Sequence, residues 1–417
     1  MAAIARNVLR WSDAASIPLN QIDVSSPALY HDDAWRPFFA RLRAQDPVHY
    51  CSDSPYGAYW SLTKFDDISH AELDHGTFSS SAALGGIQIE DFLGGRNVVN
   101  FIRMDPPEHT AQRKLISPIV APANLINLEP LIRSRTENVL DGLPRNEPFD
   151  WADRISTELT SMMLATLFDV PLEDRRKLTY WSDVRLSVVG APDSLINSEE
   201  ERMAEMAEMA AYFRAIWDRR IHEPPKFDLI SMLAHGEATR NMDLGTFVGN
   251  LVLLIIAGND TTRNSMSASL LALAENPDEA TKLRSNPQLV QNFVSEVIRY
   301  HTPVLHMRRT VRADIELRGR MIPAGSKVVL WYISGNRDEE KIPDADKFII
   351  DRAKVRQHLS FGAGIHRCVG DRLAELQIRI LWEEILKRDL KFEVLGEPDR
   401  LYSNFIRGIR RMPVRIH

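Results

Sequence analysis

Residues 243–275 form a run long and apolar enough to require a large protein around it. Asp243 is a helix N-cap and Asn276-Pro277 is a stop, so the pattern predicts one uninterrupted helix. At 1.5 Å per residue such a helix is roughly 50 Å long and crosses a whole globular molecule. Its segment 251–257 is apolar all round, which predicts burial on every side, yet this segment is too short to span a membrane. The sequence Ala257-Gly258-Asn259-Asp260-Thr261-Thr262 then places a carboxylate and two hydroxyls in the same helix. Burying such groups is costly unless they serve something. Gly258 weakens the helix locally, and a Thr hydroxyl can capture a carbonyl one turn back. The expectation is a small polar groove in mid-helix.

The second feature is 361–370, Phe-Gly-Ala-Gly-Ile-His-Arg-Cys-Val-Gly. Gly362, Gly364 and Gly370 allow tight turns and a close approach to something flat. An amphipathic helix starts just after Cys368, so its N-terminal N–H groups can stabilise a thiolate. A zinc site needs further Cys or His ligands at short spacing, which this stretch lacks. A haem iron needs only one protein ligand here, since the porphyrin supplies four nitrogens. One cysteine alone would read as a structural residue in a Gly-rich turn. Phe361, Gly364, Cys368 and Gly370, however, match the pattern Phe-x-x-Gly-x-x-x-Cys-x-Gly. The stretch resembles the haem-binding loop of the cytochrome P-450 family, in which a Cys thiolate holds the iron.

The rest of the chain keeps that family's motif order from about Pro37 onward. Ala257–Thr262 matches its oxygen-activation motif, so the resemblance implies that Asp260 and Thr261 deliver protons for dioxygen reduction. Glu296 and Arg299 match its buried Glu-x-x-Arg pair, with Arg352 as the third member, a structural support for the Cys loop. Met104-Asp105-Pro106-Pro107-Glu108-His109 reads as a helix start with Asp105 as N-cap and prolines in the first turn. His109 and Arg113 then share one face. The resemblance makes both of them, with Arg309 and His366, contacts for the haem propionates.

The residues 47–62 read as a hairpin, and 315–334 as its sister, with a strand over 327–333; the two can share a small sheet. Most other periodic segments are helical, so the fold class expected is mainly α with a minor β part, the P-450 fold. The 85–101 stretch is apolar and irregular, as binding loops often are. By resemblance it covers the substrate, through Ile87, Ile89, Phe92 and Leu93. Val304, Leu305 and Met307 would face the substrate too, with Leu253, Ile256 and Ala257 from the long helix and Phe405 and Ile406 from a C-terminal hairpin tip. The stripe Met203, Met206, Met209, Phe213 and Trp217 suits either core or substrate roof. Arg407, Arg410, Arg411 and Arg415 read as a solvated basic face.

In 417 residues there is no linker, repeat or low-complexity tract, so we expect a single domain over 1–417, with 1–36 as an N-terminal extension. A net charge of −6 argues against nucleic acid as a partner. Cys51 and Cys368 form no disulfide framework, which suits a reducing cytoplasm. Arg6, Arg10 and Asp13 break the apolar runs of the first twenty residues, leaving neither a signal core nor a membrane span. The resemblance implies a soluble, cytoplasmic, monomeric, bacterial-type member.

The activity that the resemblance implies is that of a haem b monooxygenase using O2 on a small apolar substrate. With no dinucleotide fingerprint or Cys cluster in the chain, its electrons would come from NAD(P)H through a ferredoxin and a ferredoxin reductase. Lys354, Arg356, Arg367 and Arg372 around the Cys loop would receive an acidic ferredoxin. The wording His306-Met307-Arg308-Arg309-Thr310 and the run 373–386 look like the alkane and fatty-acid terminal (omega) hydroxylase branch. The same apolar inventory suits a compact terpene or steroid. Arg96 or Arg103 would be the anchor for a substrate carboxylate. Two other readings stay open: a non-catalytic haem-thiolate ligand sensor, and an oxygenase driven by peroxide.

Overall fold

The computed structural model describes residues 14–91, 99–191 and 193–417. Nine of its helices carry the site: α1 (Phe65–Leu73), α2 (Glu108–Ile116), α3 (Pro122–Asp141), α4 (Glu158–Phe168), α5 (Arg175–Leu186), α6 (Glu199–Arg220), α7 (Leu244–Glu275), α8 (Val290–His301) and α9 (Asp371–Lys387). Helices dominate and strands are few, as the patterning implies.

α7 is the expected long helix. The Asp243 carboxylate caps it, accepting from the Thr246 N–H at 3.0 Å and the Thr246 hydroxyl at 2.8 Å. Asn276 ends it, and Pro277 opens the next helix. By length and composition α7 could cross a membrane, but here α4, α5, α8 and α9 pack around it. Buried hydroxyls and amides fix α7 to α4 and to the turn before it: the Thr160 hydroxyl donates to Asn259 at 2.8 Å, and Ser156 of the preceding turn 152–157 meets Ser267 at 2.9 Å. Burial on every side does not hold. Leu253 and Thr261 are half-buried and Ala257 between them is exposed. The four-residue spacing puts all three on one face, which the packed helices leave open.

The main sheet joins β1 (Val48–Cys51), β2 (Tyr59–Leu62), β3 (Phe78–Ser79), β4 (Met307–Val311) and β5 (Lys327–Leu330) in the order β1-β2-β5-β4-β3. β1 and β2 form the expected hairpin, Val48 opposite Leu62. β2 runs parallel to β5, and β4 antiparallel to it with Met307 opposite Leu330. The sister strand is shorter than its apolar run. It ends at Leu330, and the Trp331 carbonyl accepts from the Ser334 and Gly335 N–H groups to start the short helix Tyr332–Gly335. Hydrophobicity alone cannot separate a buried strand from a buried helical turn.

Two other expectations change, and the open alternative for the α6 stripe divides by residue. Asp105 is no side-chain N-cap of α2; its carboxylate accepts from the Ser80 N–H at 3.0 Å and pairs with Ser79 and Arg312. Arg407 is no solvated cation: it pairs with Asp33 at 2.8 Å and donates to the His301 carbonyl at 2.9 Å. In α6, Met209, Phe213 and Trp217 are core, the Trp217 ring lying 4.9 Å from Phe247, while Met203 is exposed.

The Glu296–Arg299 pair is fully buried with oxygens and nitrogens 2.8 Å apart, and Arg352 completes it at 3.4 Å. Arg299 also donates to the carbonyls of Asn336, Ala345 and Lys347. Arg299→Met leaves the buried carboxylate with only the Ile349 N–H and the longer contact to Arg352, and takes the donor from the Asn336 and Ala345 carbonyls. We expect a loss of roughly 3–5 kcal/mol, read as a lower urea midpoint; an unchanged midpoint contradicts the role.

Candidate functional site

The Cys loop is hung from the helical core before it turns. The Asn336 side chain accepts from the Leu359 N–H at 2.6 Å and donates to the Ser360 hydroxyl at 2.8 Å, and Ser360 donates to the Ile298 carbonyl of α8 at 2.7 Å. The loop closes on itself through the Cys368 N–H and the Phe361 carbonyl at 2.8 Å. Gly364 has φ +62°, and a Cβ there would lie 2.3 Å from the Glu72 carbonyl oxygen at the end of α1. Gly362 is also left-handed at +64°. Gly370 is neither left-handed nor crowded. Two glycines take the left-handed backbone, but the close approach is made at Gly364 alone, and it is made to α1.

The Cys368 side chain is open to solvent on one side and crowded by protein on the others. That crowding pushes its thiol up to about 11, while the Gly370 N–H, Arg113 and Arg367 act the other way. The helix start alone does not hold a thiolate. A cation at sulfur supplies what is missing, since a coordinated thiol is deprotonated outright.

Beside the loop, His109 of α2 and His366 face each other with ring centroids 4.3 Å apart. Both are buried, and all four of their ring nitrogens lack a protein hydrogen-bond partner. Burial, with Arg113 beside one and Arg309 beside the other, lowers His109 to about 4 and His366 to about 2. Buried polar groups without partners require explanation. Arg113 donates to the Arg367 carbonyl, and Arg309 donates to Glu72 at 3.1 Å. Glu72, buried on α1, also takes the Tyr332 hydroxyl. Two neutral imidazole donors and two guanidinium groups next to a single accessible cysteine fit a haem with its two carboxylate arms. Among the described residues no cluster of three or more His, Cys, Asp or Glu competes as a metal site.

Asp260 and Thr261 face different ways. The Thr261 hydroxyl donates to the Ala257 carbonyl at 2.8 Å, on the open face of α7. Asp260 is fully buried toward α5, where Ser182 donates to one carboxylate oxygen and Arg263 to the other. Arg263 reaches on to Asp183 at 2.6 Å. Desolvation raises the Asp260 carboxyl to about 6, with Arg263 and Ser182 opposing. A cavity of about 200 Å³ lies against this cluster, its polar side formed by Asp183, Asp193, Asp260, Arg263, Asn264 and Arg410 and its apolar side including Leu186 and Leu401. The single groove expected to hold both groups is replaced by a hydroxyl on one side and a carboxyl with its own cavity on the other.

Of the expected substrate contacts, Leu253, Ile256 and Ala257 are half-buried or exposed on α7. Met307 and Phe405 are half-buried, and Ile406 is buried and bridges Val304. Ile87 is buried, its carbonyl accepting from the Arg308 N–H at 2.7 Å. Ile89 and Leu305 are corrections: both pack in a core cluster with Trp35, Phe39 and Trp331. Phe92, Leu93 and Arg96 lie outside the described residues. Arg103 is buried and donates to the Gln88 side chain at 3.0 Å.

The cytochrome P-450 family model matches residues 61–405. This chain is a cytochrome P-450. It is 36% identical over 402 residues to linalool 8-monooxygenase of Pseudomonas putida, covering 94% of this chain and 98% of that protein. It is 31% identical over 418 residues to a methyl-branched lipid omega-hydroxylase of Mycobacterium tuberculosis, covering 95% of each. The structure of cytochrome P-450-153 from Novosphingobium aromaticivorans superposes with a TM-score of 0.89 at 47% identity, covering 95% of this chain and 99% of that one.

In this P-450 the residues Lys354, Arg356, Arg367 and Arg372 are all exposed, with Arg367 paired to Asp371 at 2.8 Å and Arg356 near Glu375 at 3.6 Å. Glu72, Tyr332, Ser182 and Asp183 are site residues that sequence patterning does not find. They come from segments far away in the chain and carry no motif; only Arg263, three residues after Asp260, leaves a local signal. Gly364→Ala forces a Cβ against the Glu72 carbonyl and costs about 1–2 kcal/mol from the left-handed backbone alone. The measurement is haem bound per protein: we expect a several-fold fall with far-UV circular dichroism retained, and equal occupancy contradicts the cradle.

Proposed function

We propose that this cytochrome P-450 hydroxylates the terminal carbon of medium-chain alkanes or fatty acids, with haem b held by Cys368. The observation that carries the haem assignment is the pair of buried, unpartnered imidazoles beside the accessible cysteine. In this reading His109, Arg113, Arg309 and His366 bind the two propionates, and Phe361 and Gly364 shape the loop. The haem, when bound, supplies the activation of dioxygen and the insertion of one oxygen atom into a C–H bond. The overall balance is R–H + O2 + 2 electrons + 2 protons giving R–OH + H2O, with electrons from NAD(P)H through a ferredoxin and its reductase.

The chain's own groups handle the protons. Asp260, raised to about 6, can gain and lose a proton near neutral pH. Water in the adjoining cavity can recharge it, and Arg263 and Ser182 hold its two oxygens in place. The Thr261 hydroxyl, now donating to Ala257, is the group on the open face of α7 that can pass a proton onward. A ligand sensor has no use for such a relay, which favours the enzyme reading.

Substrate class rests on the half-buried apolar face of α7 and on the resemblance to a lipid omega-hydroxylase. The second reading, a compact terpene, is favoured by the linalool monooxygenase resemblance. A ferric spin-state titration with n-decane, decanoic acid and linalool, together with product analysis, separates them. Linear chains should shift the spin state and yield terminal alcohol. A product set made of internal alcohols, or a shift with linalool alone, overturns the terminal reading.

Because the folded Asp260 carboxyl sits above its ordinary 3.8, it favours the folded state at low pH and loses that contribution as pH rises through about 6. Product formed per reductant should fall over the same window. Asp260→Asn should flatten that pH profile and slow turnover at least ~10-fold. Thr261→Ala should keep reductant consumption but divert it to peroxide; full coupling in that variant contradicts the relay.

A further inference from the structure

His306 belongs to no propionate or proton contact, yet it is one of the most enclosed side chains in the molecule, with no exposed surface. Its Nε2 lies 3.2 Å from the Ile89 N–H and its Nδ1 lies 3.0 Å from the Asn404 carbonyl. An N–H must donate and a carbonyl must accept, so only the neutral tautomer protonated at Nδ1 satisfies both. Desolvation favours that form, bringing the group down to about 3. The ring packs 4.8 Å from Trp331 and 5.4 Å from Phe405.

The two segments that His306 joins come from opposite ends of the chain and, in the substrate reading above, border the apolar site. Residues 86–91 are tied to the sheet by the Arg308 N–H on the Ile87 carbonyl at 2.7 Å and by Lys327 Nζ on the Ile89 carbonyl at 3.0 Å. Residues 403–407 are tied by the Leu305 N–H on the Phe405 carbonyl and the Arg407 N–H on the Pro303 carbonyl, both at 2.9 Å. Each of those bonds fixes one segment to the sheet or to the residues leading into β4. The imidazole reaches both, and so fixes the separation between Ile87 on one side and Phe405 and Ile406 on the other.

We propose that His306 is a positioning residue for regioselectivity: by bridging Ile89 and Asn404 it sets the width of the apolar site and thereby which carbon of the substrate is presented. This rests on the monooxygenase reading above, and on the placement of Ile87 and Phe405 beside the substrate. Shifts of the order of 1 Å in a reacting group can change rates ~100-fold, so a slack bridge redistributes products before it abolishes turnover.

Three variants of the haem-loaded enzyme test it. His306→Asn keeps a donor near Nδ1 for Asn404 and loses the acceptor for Ile89. His306→Gln does the reverse, and His306→Leu loses both. The readouts are the regioisomer distribution from n-decane, with linalool as a second probe, and amide exchange of the peptide over 86–91. His306→Leu should change the ratio of terminal to internal alcohols ~10-fold and speed exchange of that peptide ~10-fold or more. His306→Asn should also speed exchange, His306→Gln should not, and each should give a smaller change in product ratio. If His306→Leu does not fold, the Asn and Gln pair carries the same comparison. Wild-type product ratios in all folded variants overturn the proposal, as does unchanged exchange in His306→Asn. If n-decane is not oxidised but linalool is, and its product set shifts in these variants, the linear-chain reading fails while this one stands.

Discussion

The buried guanidinium of Arg299 organises the half of the molecule that carries the cysteine. Its donors reach the Glu296 carboxylate and the carbonyls of Asn336, Ala345 and Lys347, so one side chain fixes α8 against a segment with no regular structure of its own. Asn336 then positions Leu359 and Ser360, and Ser360 returns to α8. The loop that presents Cys368 is therefore set before it meets any ligand. Such a pair gains little over a hydrophobic replacement, but breaking it strands a charge, so the arrangement is strongly specified.

On that support the residues of the site fit one particular ligand. The thiol is pushed up to about 11, and two imidazoles are held neutral with nothing to donate to. A cation at sulfur and carboxylates at the imidazoles remove these costs together, and a haem brings both. Glu72 adds a second fixed point, meeting Arg309 and Tyr332 through its side chain while its carbonyl excludes any side chain at Gly364. α7 carries a hydroxyl on its open face and a carboxyl toward a separate cavity.

Features local in the chain are legible in the sequence. The Asp243 cap, the Glu-x-x-Arg pair and the Cys loop have short fixed spacings, and their geometry comes from helix and turn stereochemistry. Partners supplied from elsewhere leave no such trace. Glu72 lies more than two hundred residues from Arg309, and Ser182 and Asp183 lie nearly eighty from Asp260 and Arg263. Arg407 departs from its expected solvated role because a charge run says nothing of a partner such as Asp33, which meets it from the other end of the chain. Leu305 and Ile89 depart for a related reason: apolar character does not tell a core position from a pocket wall, and only packing against Trp331 decides it.

The central claim is that Cys368 would hold the iron of a haem, with His109 and His366 as partners for its carboxylates. The most direct test is the reduced carbon monoxide difference spectrum of haem-supplied protein, taken beside that of Cys368→Ser. A thiolate-type Soret band is expected from the natural sequence, with its loss in the variant. Failure to take up haem, or the same band in both proteins, contradicts the claim.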